Sequence, residues 1–115
     1  MRKAKLITNF VPLKDVEFNR KAILVLDCME GNPHFADPIP PLHSVRVLQE
    51  AYNNALTDAW QGNKIQIAVK KESRKALERQ LSKLAMYVMF IADGDAAILT
   101  SSGFTLAKTP ERRYI

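Results

Sequence analysis

Four glycines and six prolines divide this 115-residue sequence into uninterrupted runs, and no other feature restricts its fold as strongly. Gly31 follows a run at 15–30, Gly62 one at 42–61, Gly94 one at 64–93, and Gly103 a short one at 95–102. Glycine just past a helix tolerates the left-handed backbone that closes the last turn, so each reads as a C-terminal cap. Pro12, Pro33, Pro38, Pro40, Pro41 and Pro110 all fall outside these runs, where they remove no helical hydrogen bond. The punctuation predicts four helices.

Apolar spacing agrees with that division. In the first run Phe18, Ala22, Val25, Leu26 and Met29 recur at three and four residues and share one helical face. Asp15 is placed to cap its start. In the second, Val45, Leu48, Tyr52, Ala55, Leu56 and Ala59 form the stripe, with Arg46, Gln49, Glu50, Asn53 and Asp58 mainly away from it and Trp60 anchoring the end. The third run carries Ala76, Leu77, Leu81, Leu84, Ala85, Val88 and Ile91, a near-heptad seam suited to antiparallel neighbours. The alternation of Ile65, Gln66, Ile67, Ala68 and Val69 fits an extended segment, which moves the start of that helix towards Lys70. The fourth run is a turn or two of helix, capped by Asp95 and stopped by Gly103, onto which Phe104 folds back.

Together these runs predict an all-α fold: a small antiparallel bundle of three long helices and one short helix, with extended basic termini. Residues 1–14 form an N-terminal arm, 15–103 the helical bundle and 104–115 a C-terminal tail. The proline-rich link at 32–41 is stiff, because each proline fixes one backbone angle and restricts the residue before it. Extended-looking patterns at 3–11 and 104–108 can pair with each other or with a neighbouring molecule.

The length suits one domain, and 47% hydrophobic with 25% charged residues is the balance of an ordinary globular chain. A single cysteine, Cys28, allows no internal disulfide. The basic start lacks the apolar centre of a signal peptide, and the longest apolar stretch, 84–92, is far shorter than the run of about 20 residues that spans a bilayer. We therefore expect no membrane partner and a cytoplasmic location or incorporation in a virion. The net charge of +5 favours acidic surfaces, of proteins or of nucleic acid.

Reactive chemistry finds little support. Cys28, His34, Asp37 and His43 are metal-ligand types within a short stretch, but their spacing matches no recognised zinc pattern, and no third group supports a Cys/His nucleophile. Asp93-Gly94-Asp95 begins like a calcium loop, yet later ligand positions fall on Ala97 and Phe104, so helix capping explains it better. Ser101-Ser102-Gly103 lies at a helix C-terminus, whose exposed carbonyls repel phosphate. No catalytic residue, metal site or cofactor is expected. The basic residues offer more. Lys71, Lys75, Arg79 and Lys83 recur every four positions along the third helix, where a phosphate backbone can lie. Glu72 and Glu78 share that helix, and Arg74 is positioned to pair with Glu78.

Gly31-Asn32-Pro33-His34-Phe35, the helix that follows, and the stretch 92–104 resemble a family of uncharacterised helical domains of bacteria and their phages. In that family a G-N-P-x-F turn precedes a proline-led helix, and an N-G-D-x-A-x-x-x-S-S-G-F stretch follows the last long helix. Many members continue into a fibronectin type III or similar β-sandwich domain. The likeness covers residues 16–108, with Asp93 where the pattern usually has asparagine. It implies a helical adaptor and brings no activity or cofactor with it.

The expected function is thus a non-enzymatic structural or assembly module acting on protein partners or copies of itself, repeated in a larger complex such as a phage virion. Arg2, Lys3, Lys5, Arg112, Arg113, Tyr114 and Ile115 are the partner-binding candidates. The alternative is a nucleic-acid-binding accessory protein using Lys71, Lys75, Arg79 and Lys83.

Overall fold

A computed structural model describes residues 4–60 and 62–107 of the chain. Among the described residues the fold is all-α, with four helices and no strand. No helix among them is long and apolar enough to cross a membrane.

Helix α1 (Asp15–Met29) buries Phe18, Ala22, Val25, Leu26 and Met29, the face its spacing defines. Its cap position is Lys14, which makes no side-chain cap bond, so Asp15 is the first helical residue and not the cap. A carboxylate there still suits the positive end of the helix dipole, and it is held instead by groups from two other helices. The following turn closes through Gly31 at φ 71° and leads through a cis Ile39–Pro40 bond to α2 (Leu42–Ala59), which starts on Pro41. Helix α2 buries Val45, Tyr52 and Ala55 as expected, and also Gln49, which the stripe places outside. The Gln49 amide is tolerated inside because its Nε2 donates to Asn19 Oδ1 at 3.0 Å. Trp60 does not anchor the helix end: it points outward, 85% exposed.

Helix α3 (Lys64–Ala92) begins six residues before the position that the alternation favours. A capping box explains the difference. Asn63 Oδ1 accepts from Gln66 N at 3.1 Å while Gln66 Oε1 accepts from Asn63 N at 3.2 Å, satisfying two otherwise orphaned donors. At Gly62 space is the constraint, since a Cβ would run into the Gln66 side chain and lie 2.9 Å from the Asp58 carbonyl. The inward seam is Leu77, Leu81, Leu84, Ala85, Val88 and Ala92; Ile91, assigned to that seam by spacing, is 39% exposed. Asp93 itself takes the left-handed conformation that ends the helix. Asp95 then caps α4 (Ala96–Ser101), its Oδ1 accepting from Ala97 N at 2.9 Å and Ile98 N at 3.3 Å.

α2 packs along α3, α1 against α2, and α4 against α3. The flanking segments complete the same core. Leu6 and Leu106 form an isolated antiparallel bridge, with Ile7 N donating to Thr105 O at 2.9 Å and Ala107 N to Lys5 O at 2.8 Å. Leu6, Phe10 and Phe104 are thereby buried, and the Phe10 ring lies 5.7 Å from that of Phe18 and 6.3 Å from that of Phe104. Each fully buried leucine or phenylalanine of this core contributes about 1.5–3 kcal/mol.

Candidate functional site

The functional surface is defined by which polar groups the fold consumes and which it leaves bare. Three of the five ion pairs among the described residues meet at one junction. Arg74 of α3 is reached from three directions: its Nη1 donates to Asp15 Oδ1 at 2.8 Å, its Nη2 to the carbonyls of Phe10 and Leu13 at 2.9 and 2.7 Å, and its Nε to Glu78 at 3.1 Å. Its guanidinium also sits 4.8 Å from the centre of the Phe18 ring. Asp15 further accepts from the Tyr52 hydroxyl at 2.9 Å and pairs with Lys70 at 3.0 Å. The arginine thus ties α1, the arm before it and α3 together, with Tyr52 of α2 closing the ring.

Burial alone would raise the Asp15 carboxyl. Hydrogen bonds from Arg74, Lys70 and Tyr52 outweigh it and hold the group at about 2. For Tyr52 the two effects add, because burial and the bond to Asp15 both push the phenol well above its ordinary value. Arg74 loses from burial and gains more from Asp15 and Glu78, so its charge is strengthened. These groups are locked into one charge state at neutral pH, which suits a structural junction and not proton transfer.

The turn at 31–35 and the segment at 101–104 meet in space. Asn32 Nδ2 donates to the Ser101 carbonyl and hydroxyl, both at 3.2 Å, and its Oδ1 accepts from His34 N at 3.0 Å. Gly103 lies at φ 85° against α1, where a Cβ would come within 3.1 Å of the Leu24 carbonyl and the Val25 Cα. Phe35 is buried with its ring 6.1 Å from that of Tyr87. The motif residues therefore clasp the end of α4 onto α1, through contacts across 69 positions of sequence.

The basic residues of α3 divide differently. Lys71, Lys75, Arg79 and Lys83 are all exposed, and none has an ion-pair partner among the described residues. A step of four residues overshoots one turn, so the four wind through about 120° of the helix surface. Lys71 and Lys75 border a depression of about 250 Å³ with Val11, Arg74 and Glu78. Among the partner-binding candidates only Lys5 is described: it is exposed, and its carbonyl is held by Ala107. Arg2, Lys3, Arg112, Arg113, Tyr114 and Ile115 lie outside the described residues.

Large apolar side chains also reach the surface at places that spacing alone did not mark. Met86 and Phe90 on α3 are 62% and 82% exposed. At the opposite end of that helix Ile65 and Val69 are exposed, and Trp60 lines with Val16, Arg20, Asn53 and Leu56 a groove of about 450 Å³ between α1 and α2. Their signal was present in the sequence as apolar residues off the buried stripe: Met86 and Phe90 stand opposite Leu84 and Val88 on the helical wheel. A narrower cleft of about 240 Å³ lies between the arm and α1, walled by Ile7, Phe10, Pro12 and Leu13 with Lys21 at its edge. Burial lowers the Lys21 amine.

Cys28 is half-buried against Gly103, and among the described residues no group of three or more His, Cys, Asp or Glu is arranged to hold a metal ion. Compared with family models, curated proteins and solved structures, the chain matches none.

Proposed function

We propose that the chain is a non-enzymatic assembly module: an antiparallel helical bundle that works through protein–protein contacts, in the cytoplasm or repeated within a larger complex such as a phage virion. The observation that carries this reading is the division between motif and surface. Asn32, Phe35, Ser101, Gly103 and Phe104, which resemble the bacterial and phage family, hold the fold together, whereas unpaired cations and large apolar side chains face outward on α3. The bridge of Leu6 to Leu106 sets the described chain ends side by side, with Lys5 exposed next to it. Light scattering on the purified full chain tests the reading. A mass of several copies, or of a stoichiometric complex with a co-purifying protein, is expected; a strict monomer at every concentration, with no such partner, overturns it.

A second reading is favoured by one observation, the exposure of Lys71, Lys75, Arg79 and Lys83 without acidic partners. Were they to contact four phosphates, affinity for generic duplex DNA would fall with salt at a logarithmic slope of about −3.6, and Lys75→Ala or Arg79→Ala would each flatten it by about 1. Salt-independent or undetectable binding removes this alternative.

A further inference from the structure

We propose that the outward face of α3 is a docking surface for an acidic amphipathic helix of a different protein. The inference rests on the reading of the chain as a contact module and names the partner's chemistry.

Charge is concentrated on this one element. Helix α3 carries seven basic and two acidic residues, so its excess equals the +5 of the whole chain. Lys70 and Arg74 are turned inward and paired with Asp15. Lys64, Lys71, Lys75, Arg79 and Lys83 are left exposed and unpaired among the described residues. An ion pair formed on such a surface gains strength when an adjoining apolar contact excludes water from it, and α3 supplies that contact.

Lys75, Arg79, Lys83, Met86 and Phe90 follow one another at intervals of four, four, three and four residues, which keeps them in one line along the helix. The line faces away from the buried Leu77, Leu81, Leu84 and Val88 and runs for about 22 Å at 1.5 Å per residue. It is a surface half cationic and half apolar, with the two halves in register. A straight helix with glutamates or aspartates at one end of its stripe and apolar residues at the other matches it by ridge-into-groove packing.

The same pattern argues against the other occupants. Two copies laid face to face in parallel bring lysine and arginine against lysine and arginine, and in antiparallel they lay those cations over Met86 and Phe90, so neither direction supplies the carboxylates that the cations lack. A phosphate backbone neutralises the cations but leaves Met86 and Phe90 in water.

The test uses the full chain and a fluorescent synthetic helix of about 20 residues, patterned with glutamate and leucine on one face. Its controls are a peptide of the same composition shuffled to destroy that face, a generic DNA duplex, and vesicles of phosphatidylcholine with phosphatidylserine. The patterned peptide is expected to bind at least about tenfold tighter than the shuffled one, and to be weakened about tenfold by Lys75→Glu with Arg79→Glu and, separately, by Phe90→Ser or Met86→Ser. Circular dichroism of these exposed-site variants should be unchanged. Equal binding of the shuffled peptide, or binding indifferent to both sets of variants, overturns the proposal. So does tighter binding to duplex or vesicle that Phe90→Ser weakens. If the chain is strictly monomeric and partnerless yet binds the patterned peptide as described, the assembly reading fails and this surface stands; if it assembles but ignores the peptide, the reverse holds.

Discussion

Arg74 and Arg79 are the same residue type, five positions apart on one helix, and the fold treats them in opposite ways. Arg74 is 15% exposed and binds two carboxylates and two main-chain carbonyls beneath it. Arg79 is exposed with no partner among the described residues. Five residues rotate the side chain by about 140°, enough to move it from the seam to the opposite face. An arginine on the inner face of α3 is a structural bolt, while on the outer face the same charge stands in solvent without a partner among the described residues.

Leucine truncation should separate the faces most widely. Leu81→Ala, at a fully buried position, is expected to cost about 3–4 kcal/mol in urea unfolding, whereas Met86→Ala, 62% exposed, should stay within about 0.5 kcal/mol. Comparable losses at both positions would break the comparison. Arg74→Ala takes one of three partners from Asp15, strands Glu78 and leaves the Phe10 and Leu13 carbonyls without this donor, for an expected loss of about 2–3 kcal/mol, against less than about 0.5 for Arg79→Ala. A shift in Tm no larger for Arg74 than for Arg79 would show the junction to be ornamental. Off the helix, Gly103→Ala meets the backbone of α1 as well as a left-handed φ and should lose about 2 kcal/mol; Gly31→Ala, with the same sign of φ but nothing within 4 Å, should lose about 1. Thermal melts of the two variants sharpen how much of each penalty is packing.

The smallest effect is in the acid limb. Asp15 is held at about 2 against an ordinary 3.8. The folded state therefore binds its proton more weakly than the unfolded chain, and the resulting stability is complete above pH 4 and lost as pH falls towards 2. With the side chain one-third exposed, screening reduces the contribution to about 1–2 kcal/mol. Asp15→Asn should lower stability at neutral pH and flatten the decline between pH 4 and 2; an acid limb as steep as that of the parent chain contradicts the assignment.

Much of the helical plan is legible in the residue order, because glycine, proline and the three-to-four spacing act locally. All four helices fall within the runs that the breakers define; α1 buries its whole expected stripe and α3 most of it, whereas α2 buries Val45, Tyr52 and Ala55 and leaves Leu48, Leu56 and Ala59 half-buried. What escapes is non-local or chemically two-faced. Asp15 has the chemistry of a cap and becomes a salt-bridge partner, because the residue that claims it lies 59 positions later. Gln49 looks solvent-facing until Asn19 is placed beside it. Ile65, Ile67 and Val69 alternate like a strand, yet the two-residue capping box at Asn63 and Gln66 suffices to start the helix there. Trp60 misleads in the other direction, since its hydrophobicity promises burial that the turn into α3 does not provide. The Asn32–Ser101 clasp joins two segments 69 positions apart that no local rule would pair.

With Leu6 facing Leu106, the described backbone is nearly a ring. A short linker sealing that gap, with new ends opened in the proline-rich link before α2, would preserve every helix while changing their order along the chain. For the same reason the domain can be spliced into a surface loop of a host protein, since its two points of attachment are separated by little more than the width of a strand pair.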